Sequence, residues 1–226
     1  MIILTGRSVN IMGSKSGVAA RERILREAEH VIHLKGYGAA CMEEIAKACG
    51  MTKANLFHHY GSKSSLALAV LDFKIAECRA RRIEPLCAQA APEKAVERMF
   101  DEGARFFQGI GCKAGCFVGN IALEMSDCDE RFRARVGDFF AEWAAGIAKC
   151  LERCKAAGYF APSLDSRATA EAIVALYEGA IMLTRSQRDA KIFKRVGKIA
   201  RFVLEQHKAE KKRRKITMGP KTPCGC

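Results

Sequence analysis

The sequence predicts an all-α protein in two parts: an N-terminal three-helix helix-turn-helix domain and a larger helical domain. Three observations carry the fold class. Met42 to Lys63 reads as two short helices around a tight turn. Apolar residues recur at helical spacing elsewhere, as in Phe132, Val136, Phe139, Phe140, Trp143, Ile147 and Leu151. Glycine or proline stands where a stripe must stop, at Gly36, Pro85, Gly158 and Pro162. The predicted division is a disordered tail at 1–17, the helix-turn-helix domain at 18–65, the helical domain at 66–207 and a basic disordered tail at 208–226.

The first helix is predicted over about residues 18–35, with Ile24, Ala28, Val31 and Ile32 as its buried stripe. Arg21 and Arg23 near its start can reach a DNA backbone. Gly36 stops it. In the next helix Ile45, Ala46 and Cys49 fall at i, i+1 and i+4 and form one buried face. Gly50 ends that helix, because glycine enters the left-handed conformation without steric cost. Met51 can plug the corner. Thr52 is a good N-cap, since its hydroxyl can accept a bond from an orphan backbone N–H.

In the helix that follows, about 52–60, Leu56 and Tyr60 share the inward face. Ala54 and His58 then look outward, flanked by Asn55 and Phe57. A helix presented in this way is a DNA-reading unit, and its outward side chains meet base edges in the major groove. Lys53 suits guanine or a phosphate. Asn55 has the geometry for a bidentate contact with adenine, and Ala54 and Phe57 can touch a thymine methyl.

The formal charge of +13 is uneven. Residues 1–65 carry 9 Lys and Arg against 5 Asp and Glu, residues 66–206 carry 22 against 19, and residues 207–226 carry 7 against 1. Basic ends around a balanced middle suit an N-terminal part that meets phosphates. No run of about 18 uncharged apolar residues occurs, so no membrane span is expected. The 11 cysteines include no CxxC pair, and no Cys/His cluster has zinc spacing. Cys112 with Cys116, and Cys150 with Cys154, are spaced to pair, but cytoplasmic thiols are usually reduced. No phosphate loop, nucleophile elbow or metal constellation points to an enzyme, and no cofactor is expected.

Ser62 can cap a helix that runs toward Arg82 and ends by Pro85. Pro92 suits the first position of the next helix, which carries Phe100, Phe106 and Phe107 and ends in the glycines at 109–111. Phe117 opens a short helix after the loop 109–120. Asp129 starts a long helix to about Ala157. The last two helices are expected at about 166–188 and 190–208. The first of them mixes small residues (Ala168, Ala172, Ala175, Gly179, Ala180) that allow close approach. Phe107, Phe140 and Trp143 are candidates to line a ligand pocket, against the plainer reading that helical aromatics are core.

The run Gly36 to Leu66, GYGAACMEEIAKACGMTKANLFHHYGSKSSL, resembles the DNA-binding domain of the tetracycline-repressor (TetR) family of bacterial regulators. The resemblance lies in Gly36-Tyr37, Ile45-Ala46, Gly50, Thr52, Leu56-Phe57 with His59, Tyr60, and Ser62-Lys63. Ala40-Cys41 departs from it, because the family often has a capping hydroxyl there that touches a phosphate. Phe57 replaces the commoner Tyr. By family position His59 and Lys63 look like phosphate contacts, which position the protein without reading sequence. Gly115-Cys116-Phe117 followed by Asn120 is similar to an element of the NemR-like branch, whose cysteine is reactive toward electrophiles. That likeness makes Cys116 a candidate sensor. A helix N-terminus beside it would favour thiolate, with Lys113 in support; the alternative is packing at a tight loop-to-helix junction.

The resemblance further implies that the two C-terminal helices pair with their copies in a homodimer. Two recognition helices about 34 Å apart then reach successive major grooves. It implies a cytoplasmic regulator, most often a repressor, on a palindromic double-stranded DNA operator. Release would follow binding of a small-molecule effector to the C-terminal domain, or modification of Cys116. The competing reading is an architectural protein that coats DNA through charge alone.

Overall fold

The computed structural model describes residues 15–80 and 91–209. Expectations placed on 1–14, on Pro85 and on the basic tail from 210 lie outside them. Among the described residues there are nine helices: α1 (Lys15–Lys35), α2 (Met42–Ala48), α3 (Lys53–Tyr60), α4 (Lys63–Cys78), α5 (Pro92–Gly109), α6 (Phe117–Met125), α7 (Glu130–Ala156), α8 (Ser166–Gln187) and α9 (Lys191–Gln206). The fold is all-α. The backbone divides into two compact units, one through Val70 and one from Leu71. The expected border at 65/66 stands five residues earlier, and α1 begins inside the segment expected to be a tail.

The first unit is built on short helices held by local stops. The Gly36 N–H donates to the Ile32 carbonyl at 2.8 Å, with Gly36 at φ 85°, and this closes α1. Cys41 stands at the N-cap of α2 and makes no side-chain cap bond. The core joins Ile24, Leu25, Ala28 and Ile32 of α1 to Ile45 and Ala46 of α2, Leu56 of α3, and Leu66, Ala67 and Val70 of α4, all buried. Val31 is only half-buried, and Leu25 takes the place expected for it.

The second unit packs α5 along α9, with α8 against both α7 and α9. Its centre is a cluster of rings. Phe107 stacks on Phe193 at 5.3 Å, and Tyr177 sets its edge to Phe100, Trp143 and Phe193 at 5.2, 5.4 and 5.2 Å. Offset and edge-on pairs of this kind add about 0.5–1.5 kcal/mol each beyond area burial. Glycines make the close approach possible. A Cβ on Gly103 would lie 2.8 Å from Phe193, and one on Gly197 would lie 2.6 Å from Phe100 Cβ.

Helix starts follow their sequence signals. Pro92 occupies the first turn of α5. The Asp129 carboxylate accepts from the Arg131 N–H at 2.9 Å at the start of α7, and Asp165 does the same for Arg167 and Ala168 at the start of α8. Cys150 departs from the expectation of reduced thiols, because it is disulfide-bonded. Its neighbour Cys154 is a thiol, so the bond does not join the i, i+4 pair.

The end of α9 is tied down by a buried ion pair. Lys208 Nζ lies 2.9 Å from Glu93 Oε1, and the Tyr159 hydroxyl donates to the same oxygen at 2.7 Å. Glu93 is 2% exposed and Lys208 8%. A single antiparallel bridge, Phe160 to Lys208, holds the two segments together. Burial would raise the Glu93 carboxyl, but hydrogen bonds from Tyr159 and Lys208 outweigh it and hold the group below its ordinary value. Tyr159 is pushed up, first by burial and then by Glu93.

A carboxyl lowered on folding contributes stability above its unfolded value, and that contribution is lost as pH falls through the folded one. Lys208→Met leaves Glu93 buried beside Tyr159 alone and should cost about 3–5 kcal/mol at pH 7. The gap to wild type should narrow in urea melts below the ordinary carboxylate range, and a gap constant with pH contradicts the pairing. Gly197→Ala should lose about 1–3 kcal/mol, because the atom it meets is a Cβ fixed to backbone. Gly137→Ala, where nothing lies within 4 Å, should instead gain up to about 1 kcal/mol in the same melts.

Candidate nucleic-acid interface and regulatory cavity

Helix α3 is set by three local devices. The Thr52 backbone is extended (φ −79°, ψ 153°), and its hydroxyl accepts from the Asn55 N–H at 3.2 Å. Gly50 at φ 67° turns the chain out of α2, and Gly61 at φ 71° turns it out of α3. Leu56 is fully buried, whereas Thr52, Lys53, Ala54, Asn55, Phe57, His58 and His59 are all exposed. One apolar anchor thus fixes which way the rest of the helix faces.

The exposed face holds varied chemistry. The Lys53 ammonium lies 3.6 Å from the Glu43 carboxylate of α2. The Asn55 side-chain amide has no hydrogen-bond partner among the described residues. The His58 and His59 rings meet edge to face at 6.0 Å. Lys63 sits in the first turn of α4, which is capped by Ser62 Oγ accepting from the Ser65 N–H at 3.0 Å. Its ammonium donates to the Gly38 carbonyl at 3.1 Å and lies 4.6 Å over the Tyr37 ring. The Gly36-Tyr37-Gly38 turn therefore holds a half-buried cation in place.

The second unit contains a cavity of about 910 Å³ between α6, α7 and α8. Of the residues singled out as ligand or sensor candidates, Cys116, Asn120 and Phe140 line this cavity. Trp143 and Phe107 are not among its lining residues. Trp143 is fully buried against Phe139 and Tyr177, and Phe107 is spent on the stack with Phe193. Trp143 stands three residues beyond Phe140, on the inner face of α7 shared with Val136 and Ile147. Phe140, placed in the buried stripe from spacing, is half-buried at the cavity edge.

Cys116 is the N-cap of α6, and its sulfur accepts from the Gly119 N–H at 3.3 Å. The Glu178 carboxylate lies beside it: a Cβ on Gly119 would be 2.7 Å from Glu178 Oε2 and 3.7 Å from Cys116 Sγ. The preceding loop is strained, with Gly111, Cys112, Ala114 and Gly115 all at positive φ. Arg185 of α8 and Arg188, the residue just past its end, clamp it. Arg188 donates to the Cys112 carbonyl at 2.6 Å, and Arg185 donates to Asn120 Oδ1 at 3.2 Å while Asn120 donates to the Ala114 carbonyl at 2.7 Å.

Sequence reasoning missed Arg167, Glu171, Glu178 and Arg185 of α8, and the alanines of α7 that face them. The available signal was Ala141, Ala144, Ala145 and Ala148 at i, i+3, i+4 and i+7, which is one small-residue face of a helix.

Comparison with known proteins agrees with this arrangement. Residues 24–70 match the family model described as "Bacterial regulatory proteins, tetR family", and residues 92–199 match "Transcriptional regulator LmrA/YxaF-like, C-terminal domain". The chain is 28% identical over 175 residues to the transcriptional regulator AcuR of Cereibacter sphaeroides, covering 75% of this chain and 78% of that protein. It is 22% identical over 171 residues to the HTH-type transcriptional repressor DhaR of a Mycobacterium species, covering 75% and 84%. Among solved structures, a TetR transcriptional regulator from Chloroflexus aurantiacus superposes with a TM-score of 0.77 at 26% identity, covering 86% of this chain and 98% of that one. The reduced form of NemR from E. coli shares the fold, with a TM-score of 0.73 at 20% identity over 80% and 95% of the two chains. None of the described helices is long and apolar enough to cross a membrane. With a helix-turn-helix unit and a helical second unit each matched to its own model, this chain is a transcriptional regulator, not an enzyme, and belongs to the TetR family.

Proposed function

We propose that the chain is a cytoplasmic repressor that binds a palindromic operator as a homodimer and leaves it when its cavity is filled or Cys116 is modified. The observation that carries this reading is α3, where Leu56 is buried and every neighbour with base- or phosphate-reading chemistry is exposed. Asn55 and Lys53 read base edges, Ala54 and Phe57 contact thymine methyls, and Thr52, His58, His59 and Lys63 engage the backbone. The ammonium of Lys63 is supported by Gly38 and Tyr37, so a phosphate meets a cation already in position.

The homodimer is supported by apolar side chains left at the surface of the last two helices. Met182 of α8 is 61% exposed, and Ile199 and Phe202 of α9 are 56% and 55% exposed. Large apolar side chains left exposed on a folded chain mark candidate interfaces. The effector reading is supported by a cavity within the volume range of small-molecule sites. An effector that binds the released form about 100-fold better supplies about 2.7 kcal/mol of coupling, enough to empty an operator. Helix α4 carries Lys63 in its first turn and runs past the boundary between the two units, which makes it the path for that coupling.

Selection of bound duplexes from a random library at moderate salt tests the reading. Enrichment of one inverted repeat is expected, whereas equal affinity for every duplex would mean coating by charge. Asn55→Ala should relax the preference at one base pair per half-site, costing about 1–3 kcal/mol there; a uniform loss on all duplexes contradicts base readout. Cys116→Ser should keep operator binding and abolish release by N-ethylmaleimide, and normal release from that variant removes the sensing role.

A further inference from the structure

The cavity between α6, α7 and α8 has two chemically different walls. Helix α7 supplies a low apolar surface from Phe140 and its alanines. Helix α8 lays Arg167, Glu171, Glu178 and Arg185 along the other side, at spacings of four, seven and seven that keep them on one face.

Three of these four charges are committed within the fold. Arg167 Nε donates to Glu171 Oε1 at 3.0 Å. Glu178 is turned onto α6 against Gly119 and has an interaction of its own. Arg185 differs. Its hydrogen bond goes to the neutral Asn120 Oδ1 at 3.2 Å, and among the described residues no carboxylate stands within ion-pair distance of it. Asn120 is fixed in turn by the Ala114 carbonyl. A guanidinium has five N–H donors in a planar fork; Arg185 lines the cavity, uses one donor on Asn120, and meets no acid within ion-pair distance among the described residues.

We propose that the effector is an amphipathic carboxylate, its head held on the fork of Arg185 beside Asn120 and its apolar body lying along the alanine face of α7. This rests on the ligand-responsive reading above and names the ligand class. A carboxylate matches the guanidinium bidentately, and the charge assistance is about twice that of a neutral hydrogen bond. A single cation flanked by a neutral amide fits a monoanion better than a dianionic phosphate. A cationic head meets like charge at Arg185. A neutral head gains only the apolar wall, which alanines present without side chains long enough to close it.

Isothermal titration of the full chain with decanoate, decanol and decylamine, each below its micelle concentration, tests the assignment. Decanoate should bind at least tenfold tighter than decanol, and decylamine should bind weakest. Arg185→Gln should bring decanoate down to the level of decanol and leave decanol unchanged. If that variant does not fold, the wild-type ranking of the three ligands still decides. Equal affinity for decanoate and decanol, a preference that survives Arg185→Gln, or no decanoate uptake because a second copy covers the cavity would each overturn the proposal. Selective duplex binding, measured on the same preparation without ligand, stands or falls separately and reports on the regulator reading alone.

Discussion

The burial of Leu56 is the constraint on which the DNA-reading part depends. Helix α3 has eight residues, far below the length at which an isolated helix persists in water. Its existence must come from outside itself. Full burial of one leucine contributes about 1.5–3 kcal/mol, and the Thr52 cap adds about 1 kcal/mol. Those two contributions also set direction. With Leu56 inward, the side chains of Asn55, Phe57, His58 and His59 have nowhere to go except solvent or a ligand surface. The same residues on a helix rotated by a quarter turn would carry no readable pattern.

The second unit combines a rigid core with an opening. Both come from how small and large side chains are distributed. Gly103 and Gly197 let α5 and α9 close around stacked rings, so Phe100, Phe107, Tyr177 and Phe193 leave no space. On the far side of α8, alanines of α7 face it and space remains. The strained loop at 111–115, clamped by Arg185 and Arg188, sits at the end of that space. A ligand that engages Arg185 would compete for a group that now steadies the loop, a direct physical route from occupancy to shape.

The parts of this structure legible in the sequence are those fixed by local chemistry. Thr52, Ser62 and Asp129 start helices because a short polar side chain reaches its own backbone. Gly36 and Gly50 end helices because they take positive φ. The exposed face of α3 follows from Leu56 and the helical period. The cavity was not legible in the same way. Periodicity says that Phe140 and Trp143 lie near one face of α7 but not which neighbour each meets, and only packing separates the cavity wall from the core. Phe107 was lost to a stack with Phe193 86 residues away, and nothing near Cys150 in sequence signals its disulfide. Arg185 and Glu178 look alike as surface charges on α8 until the acid beside one and the amide beside the other are seen.

In the proposed dimer, one buried leucine orients a reading helix that is presented twice to a single duplex. Hydroxyl-radical footprinting on the selected duplex tests it most directly. The account predicts two protected patches of equal strength, centred about one helical turn apart on the same face and related by a two-fold axis. A single patch, or even protection along the whole duplex, would contradict it.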